Sequence, residues 1–170
     1  GIKYRTVIWG PGMAGGNWVS GNTGTSLDSE QVNAIDGVLS GPTYIVYVGT
    51  DSNLYKGEYN TSSSCSGFSS CWTWSTLTSY LPAGANLDFN DVVVNPTNNL
   101  NAYAASGNCL YETTNGGWNW SVYGSTCTDA TEAIRVLAYD DLMSGTANGL
   151  FQYEGSSASA AVPADHFPLL

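Results

Sequence analysis

The sequence predicts an all-β protein built from four-stranded units in tandem, about three per chain. One observation is a phrase that recurs: YVGTDSNLY at residues 47–55, YAASGNCLY at 103–111 and MSGTANGLF at 143–151. Each copy reads as a short strand, a tight Gly/Asn/Ser turn, then Leu and an aromatic residue that begin a second strand. A second observation is that apolar residues alternate or occur in short runs, with turn clusters about every 8–12 residues. A third is the near absence of the 3.6-residue apolar period that marks a helix. Repetition on this scale implies units that bury their apolar faces on one another.

The elements follow in chain order. Residues 4–9 (YRTVIW) read as a strand ahead of the repeats. In the first unit, 32–39, 44–49, 53–58 and 72–77 are strands, the last carrying Trp72 and Trp74. The second unit gives 89–94, 101–105, 109–113 and 119–123, with Trp118 and Trp120 at its last strand. The third gives 133–139, 142–146 and 149–154 and lacks an obvious fourth strand, which 4–9 or 16–19 would supply. Residues 1–155 are thus one repeat domain and 156–170 a C-terminal tail. The tail is a small-residue spacer, SSASAAV, that ends on Phe167, Pro168, Leu169 and Leu170, an apolar finish suited to docking on a neighbour's open edge.

Leu54 to Leu110 spans 56 residues and Leu110 to Leu150 spans 40, the scale of a propeller blade. The longer first interval holds a loop at 60–71. Three blades are fewer than the four to eight of a ring, so a propeller of this kind is completed by oligomerisation into a ring or filament. The competing architecture is a curved β-sandwich.

One hairpin is more specific. Thr113, Asn115, Gly117 and Trp120 fill the pattern S/T-x-D/N-x-G-x-x-W, and this stretch resembles the Asp-box hairpin. The resemblance covers about residues 32–154 and implies the propeller repeats of sialidases, xyloglucanase-type glycoside hydrolases, sortilin-type receptors and photosystem-assembly proteins. In those families the box is structural, so the resemblance implies a fold and leaves activity open. The resemblance to sialidases stops at their three carboxylate-clamping arginines, because this chain has only Arg5 and Arg135.

Composition narrows the function. The net charge is -10, with four basic residues, Lys3, Arg5, Lys56 and Arg135. That excludes the clustered Lys and Arg that nucleic acid requires, and it disfavours anionic membranes. No apolar run reaches the roughly 20 residues of a membrane span, so membrane insertion is not expected. Four cysteines fall into local pairs, Cys65/Cys71 and Cys109/Cys127, read as two disulfides among the three connectivities possible. With sequons at Asn60 and Asn119, few Lys and a start at Gly1, the chain reads as a processed, secreted glycoprotein.

The aromatic residues point to sugars. Six Trp and eleven Tyr are many for 170 residues, and a pyranose stacks its apolar face on such rings while amides and carboxylates bind its hydroxyls. Trp18, Tyr59, Trp72, Trp118 and Tyr123, with Asp51, are the candidate ligand-binding residues. For a hydrolase, Asp36, Asp91, Asp140 and Asp141 could supply paired carboxylates, although their recurrence in the units fits turn and strand-end roles. His166, the single histidine, lies between prolines near the end of the chain and reads as a tail residue. Asp51, Ser52 and Asn53 or Asp140 and Asp141 offer oxygen ligands for calcium, but no closing Glu, so neither a metal nor another cofactor is expected. The chain therefore reads as a non-catalytic glycan-binding protein that self-associates. The alternative is a structural subunit of an extracellular filament or coat built by strand addition; a glycoside hydrolase fragment is third.

Overall fold

The structure, a computed structural model, describes residues 3–5, 18–20, 27, 29–60, 72–124, 127, 133–139, 143–146, 149–154 and 157–163. The turn of the repeated phrase shows how the first unit forms. Thr50 N donates to Asn53 O at 2.9 Å, and the Thr50 hydroxyl accepts from Asn53 N at 2.8 Å. The Glu30 carboxylate anchors this turn, accepting from Thr50 Oγ1, Asn53 Nδ2 and the Tyr55 hydroxyl, each at 2.7 Å. In the second copy the turn is tightened by Gly107, whose φ of 57° is the left-handed conformation that glycine adopts without strain.

Around these turns the strands are β1 (Lys3–Arg5), β2 (Trp18–Ser20), β3 (Val32–Ser40), β4 (Thr43–Thr50), β5 (Leu54–Asn60) and β6 (Trp72–Thr76). They continue as β7 (Phe89–Val94), β8 (Ala102–Ser106), β9 (Cys109–Thr113), β10 (Ser121–Val122), β11 (Val136–Ala138), β12 (Met143–Thr146), β13 (Gly149–Glu154) and β14 (Ser157–Pro163). A 3-10 turn at Thr78–Tyr80 follows β6. The strands make three antiparallel four-stranded sheets, β3-β4-β5-β6, β7-β8-β9-β10 and β11-β12-β13-β14, each in chain order.

Two expectations are corrected here. The third sheet takes its fourth strand from Ser157–Pro163, where the sequence suggested a featureless spacer. The described parts of 4–9 and 16–19 do not supply it, because Lys3–Arg5 pairs with Trp18–Ser20 in a separate two-stranded sheet. The Ser/Ala run has almost none of the β-branched or aromatic residues that mark a strand. It pairs because β13 presents a complete row of backbone partners, with a register shift between Leu150 and Phe151.

The sheets stack face to face in succession. Ala34, Ile45, Tyr47 and Leu54 of the first sheet share one core with Phe89, Val92, Val94, Ala102 and Ala104 of the second. The other face of the second sheet, with Val93, Ala105 and Leu110, packs on Ile134 and Leu137 of the third. A sheet with apolar residues on both faces belongs between neighbours, as in a propeller, whereas each sheet of a two-sheet sandwich has one outer face. Tyr47 and Phe89 are fully buried at the first seam, and each contributes roughly 1.5–3 kcal/mol by leaving water.

Candidate functional site

The inner strands carry polar groups as well as apolar ones, and these tie sheet to sheet. Asn33 Nδ2 donates to Phe89 O at 3.1 Å, and Asn90 Nδ2 donates to Ile134 O at 2.8 Å. The two bonds are repeat equivalents. Asn33 precedes Ala34, which pairs with Gly49, and Asn90 precedes Asp91, which pairs with Ala105. Gly49 and Ala105 each stand five residues before the phrase's Leu, Leu54 or Leu110. Asp36 Oδ2 accepts from Val94 N at 2.8 Å, and Asp91 Oδ2 accepts from Leu137 N at 2.6 Å. These two carboxylates, candidates for acid/base chemistry, are therefore held by the backbone of the next sheet. Asp140, Asp141 and His166 lie outside the described residues.

The four residues matched to the hairpin pattern act together. The buried Thr113 hydroxyl accepts from Gly117 N at 3.0 Å and Asn115 N at 3.4 Å, and donates to Asn115 Oδ1 at 2.9 Å. Asn115 Oδ1 also accepts from Asn119 N at 3.0 Å. Trp120 Nε1 donates to Gly117 O at 3.1 Å. Gly117 has a φ of 94°, which explains the glycine at that position. Trp120 points into the seam, edge-on to Tyr47 at 6.0 Å. Cys109 is bonded to Cys127, with 4.3 Å between their Cα atoms. Cys65 and Cys71 lie outside the described residues. Asn60 and Asn119 are exposed.

The five candidate ligand-binding residues whose side chains are described do not form one site. Tyr59 and Trp72 come together in a ladder with Tyr44 and Trp74 on the first sheet. Successive rings there are 5.4–6.2 Å apart and inclined by 20–41°, so their faces turn toward one another. Such faces serve packing and leave little platform for a sugar. Tyr123 meets Tyr103 at 5.3 Å and 87°. Burial, then the neighbouring Tyr123, Glu112 and Tyr139, raise the Tyr103 pKa to about 12. Asp51 is exposed and accepts from Ser52 Oγ at 2.9 Å, while Asn53 is engaged by Glu30 and by Thr78, whose hydroxyl donates to it at 2.6 Å. The Trp18 side chain lies outside the described residues.

Trp118 is different. The residue is 53% exposed, and its ring meets Tyr80 at 5.4 Å and 88° and has Lys56 Nζ 5.9 Å from its centroid. Lys56 is itself buried and fixed, donating to Gly116 O at 2.9 Å and pairing with Glu58 at 3.0 Å. A cation held over an indole adds attraction and orientation. Exposed Thr114, Asn115 and Asn119 lie on the same turn, and Leu100, 48% exposed, accepts through its carbonyl from Gly116 N. The supports Lys56 and Tyr80 are absent from the sequence-based candidates. They lie 62 and 38 residues before Trp118, and no local spacing links them.

No family model matches the sequence, and no curated protein matches it. Solved structures do. The extracellular domain of BT4673 from B. thetaiotaomicron is similar with a TM-score of 0.55 at 16% identity, over 78% of this chain and 17% of that one. The fold is that of a β-propeller segment. A GH74 enzyme of Niastella koreensis (TM-score 0.49, 20% identity) and YCF48 bound to D1 peptide (TM-score 0.45, 14% identity) are also similar, over 78% and 74% of this chain. The chain spans 22% and 37% of those two chains. Among the described residues, no helix is long and apolar enough to cross a membrane.

Proposed function

We propose that the protein binds glycans outside the cell, with the indole of Trp118 as the platform. The observation that carries this reading is a half-exposed Trp ring braced by Tyr80 and Lys56 on an ordered hairpin. A braced ring loses little freedom when a sugar stacks on it, so more of the contact energy appears as affinity. The side chains of Thr114, Asn115 and Asn119 supply donors and acceptors for hydroxyls at the rim. Binding is non-catalytic in this reading, because Asp36 and Asp91 are committed to the seams. An extracellular setting is supported by the Cys109–Cys127 disulfide, since such bonds persist in oxidising compartments. Among the described residues there is one platform, on the second sheet, because Trp72 and Tyr59 face their own neighbours.

The test is titration with soluble cello-, xylo- and chito-oligosaccharides, read by tryptophan fluorescence and calorimetry. Trp118→Ala should weaken binding about tenfold, or about 1.4 kcal/mol, while Trp118→Tyr should retain part of it. The proposal is overturned if no oligosaccharide binds the wild type, or if Trp118→Ala binds as well as wild type.

A further inference from the structure

The bonds between the sheets follow a rule with one more term than this chain uses. In the first sheet the amide of Asn33 donates to the backbone carbonyl of Phe89 in the second. In the second, Asn90 donates to the carbonyl of Ile134 in the third. In each case the acceptor is the residue immediately before the next sheet's own copy of the donor position. The third sheet's copy is Arg135, which precedes Val136, the partner of Gly145, five residues before Leu150. Arg135 is exposed, and its guanidinium carries only donors, the half of the Asn amide that the two observed bonds use.

The first sheet carries the matching acceptor position. The carbonyl equivalent to those of Phe89 and Ile134 is that of Val32, immediately before Asn33. Beside it, Ile35 occupies the position of Val92 and Leu137, as the pairing registers show. Val92 is 1% exposed and Leu137 6%, each covered by the preceding sheet, yet Ile35 is 55% exposed. Leu39 and Tyr44 are exposed nearby, along an open groove of ≈ 380 Å³ lined by β3 and β4. Leu27 covers Val48 and Tyr55 on this side of the first sheet, but at Ile35, Leu39 and Tyr44 the sheet leaves exposed part of the face that the second and third bury, and the third presents the donor that the first and second use.

We propose that a second copy of this chain docks head to tail on the first sheet. Arg135 of one copy donates to the Val32 carbonyl of the other, and the third sheet of the first copy covers Ile35, Leu39 and Tyr44 of the second. The exposed acceptor face and the donor Arg135 lie on one chain and continue the seam already repeated within it, which selects a second copy as the occupant. The contact is heterologous, so two copies close a six-sheet ring if the rotation permits, and otherwise a filament grows. This surface is separate from Trp118, and neither proposal depends on the other.

Sedimentation equilibrium of the full chain at up to about 1 mM, the weak end of specific association, tests the idea with two variants. Ile35→Asp spoils the acceptor face and Arg135→Glu spoils the donor; both sites are exposed, so neither substitution removes core packing. Wild type is expected to sediment at twice the chain mass or more, and each variant alone as a single chain. An equimolar mixture of the variants retains one intact contact and should sediment as a dimer, a recovery that misfolded variants could not give. A wild type that stays monomeric, as it would if an adjoining segment of a longer chain fills this face, overturns the proposal. So does either variant associating like wild type, or a mixture that fails to recover.

Discussion

Replacing Thr113 with Val removes one hydroxyl and keeps the side-chain shape. In the folded protein that oxygen is buried and accepts from the N–H of Gly117, itself buried, at 3.0 Å. Val leaves this donor without a partner in a place water does not reach, at about 1–3 kcal/mol. The bonds to Asn115 are lost as well, but Asn115 is exposed and its groups turn to water. The disturbance extends further, because Gly117 O holds Trp120 Nε1, and Trp120 packs edge-on against Tyr47 of the first sheet. The sum is about 2–3 kcal/mol, a substantial share of the roughly 5–15 kcal/mol that holds a typical domain folded. With a urea slope of about 2 kcal/mol/M, the midpoint falls by roughly 1–1.5 M. Urea unfolding followed by tryptophan fluorescence measures it, with Thr113→Ser as the control that restores the oxygen. A Val shift below about 0.3 M, or a Ser shift as large as the Val shift, would refute the reasoning.

Three further outcomes follow from the same contacts. Asp91→Ala should lower stability by about 1–3 kcal/mol in urea, since Leu137 N loses its acceptor, whereas Asp91→Asn keeps an oxygen there and should cost less. Joint replacement of Cys109 and Cys127 by Ala reopens a loop of 18 residues and should cost about 3 kcal/mol, read as the urea midpoint under non-reducing conditions. Tyr103 has its pKa raised from 10.0 to about 12. Between those values the unfolded chain releases the phenol proton and the folded chain keeps it, so stability should fall as pH rises from 10 to about 12 and be unaffected by this group below 10. Tyr103→Phe should flatten that fall in urea titrations across the alkaline range, and an unchanged slope would exclude Tyr103 as its source.

The hairpins β4–β5, β8–β9 and β12–β13 were legible because each is written in the repeated phrase, where turn residues and strand residues alternate locally. β14 was not, since Ser and Ala carry no strand signature and the segment is ordered by the edge of β13. The hairpin around Thr113 was legible for a similar local reason: the side-chain bonds of Thr113, Asn115 and Trp120 all stay within the eight residues from Thr113 to Trp120. The exposed Trp118 was singled out, but its braces come from other strands. Composition alone points to Tyr59 and Trp72, and only the fold shows that their ring faces meet each other. The seam donors Asn33 and Asn90 were missed because Asn in a strand reads as a turn residue. Asn33, Asn90 and Arg135 stand 21, 20 and 15 residues before Leu54, Leu110 and Leu150, so only the strand registers place them in one column.

Both seam amides recognise a main-chain carbonyl, a group that every amino acid contributes. The inner strands are therefore free to drift in sequence so long as the backbone keeps its course and the donor keeps its place, and VNAIDGV, FNDVVV and IRVLA have little else in common. A gene encoding such a protein could lengthen by copying one unit, and the newcomer would fit its neighbours before any side chain had been selected to match them.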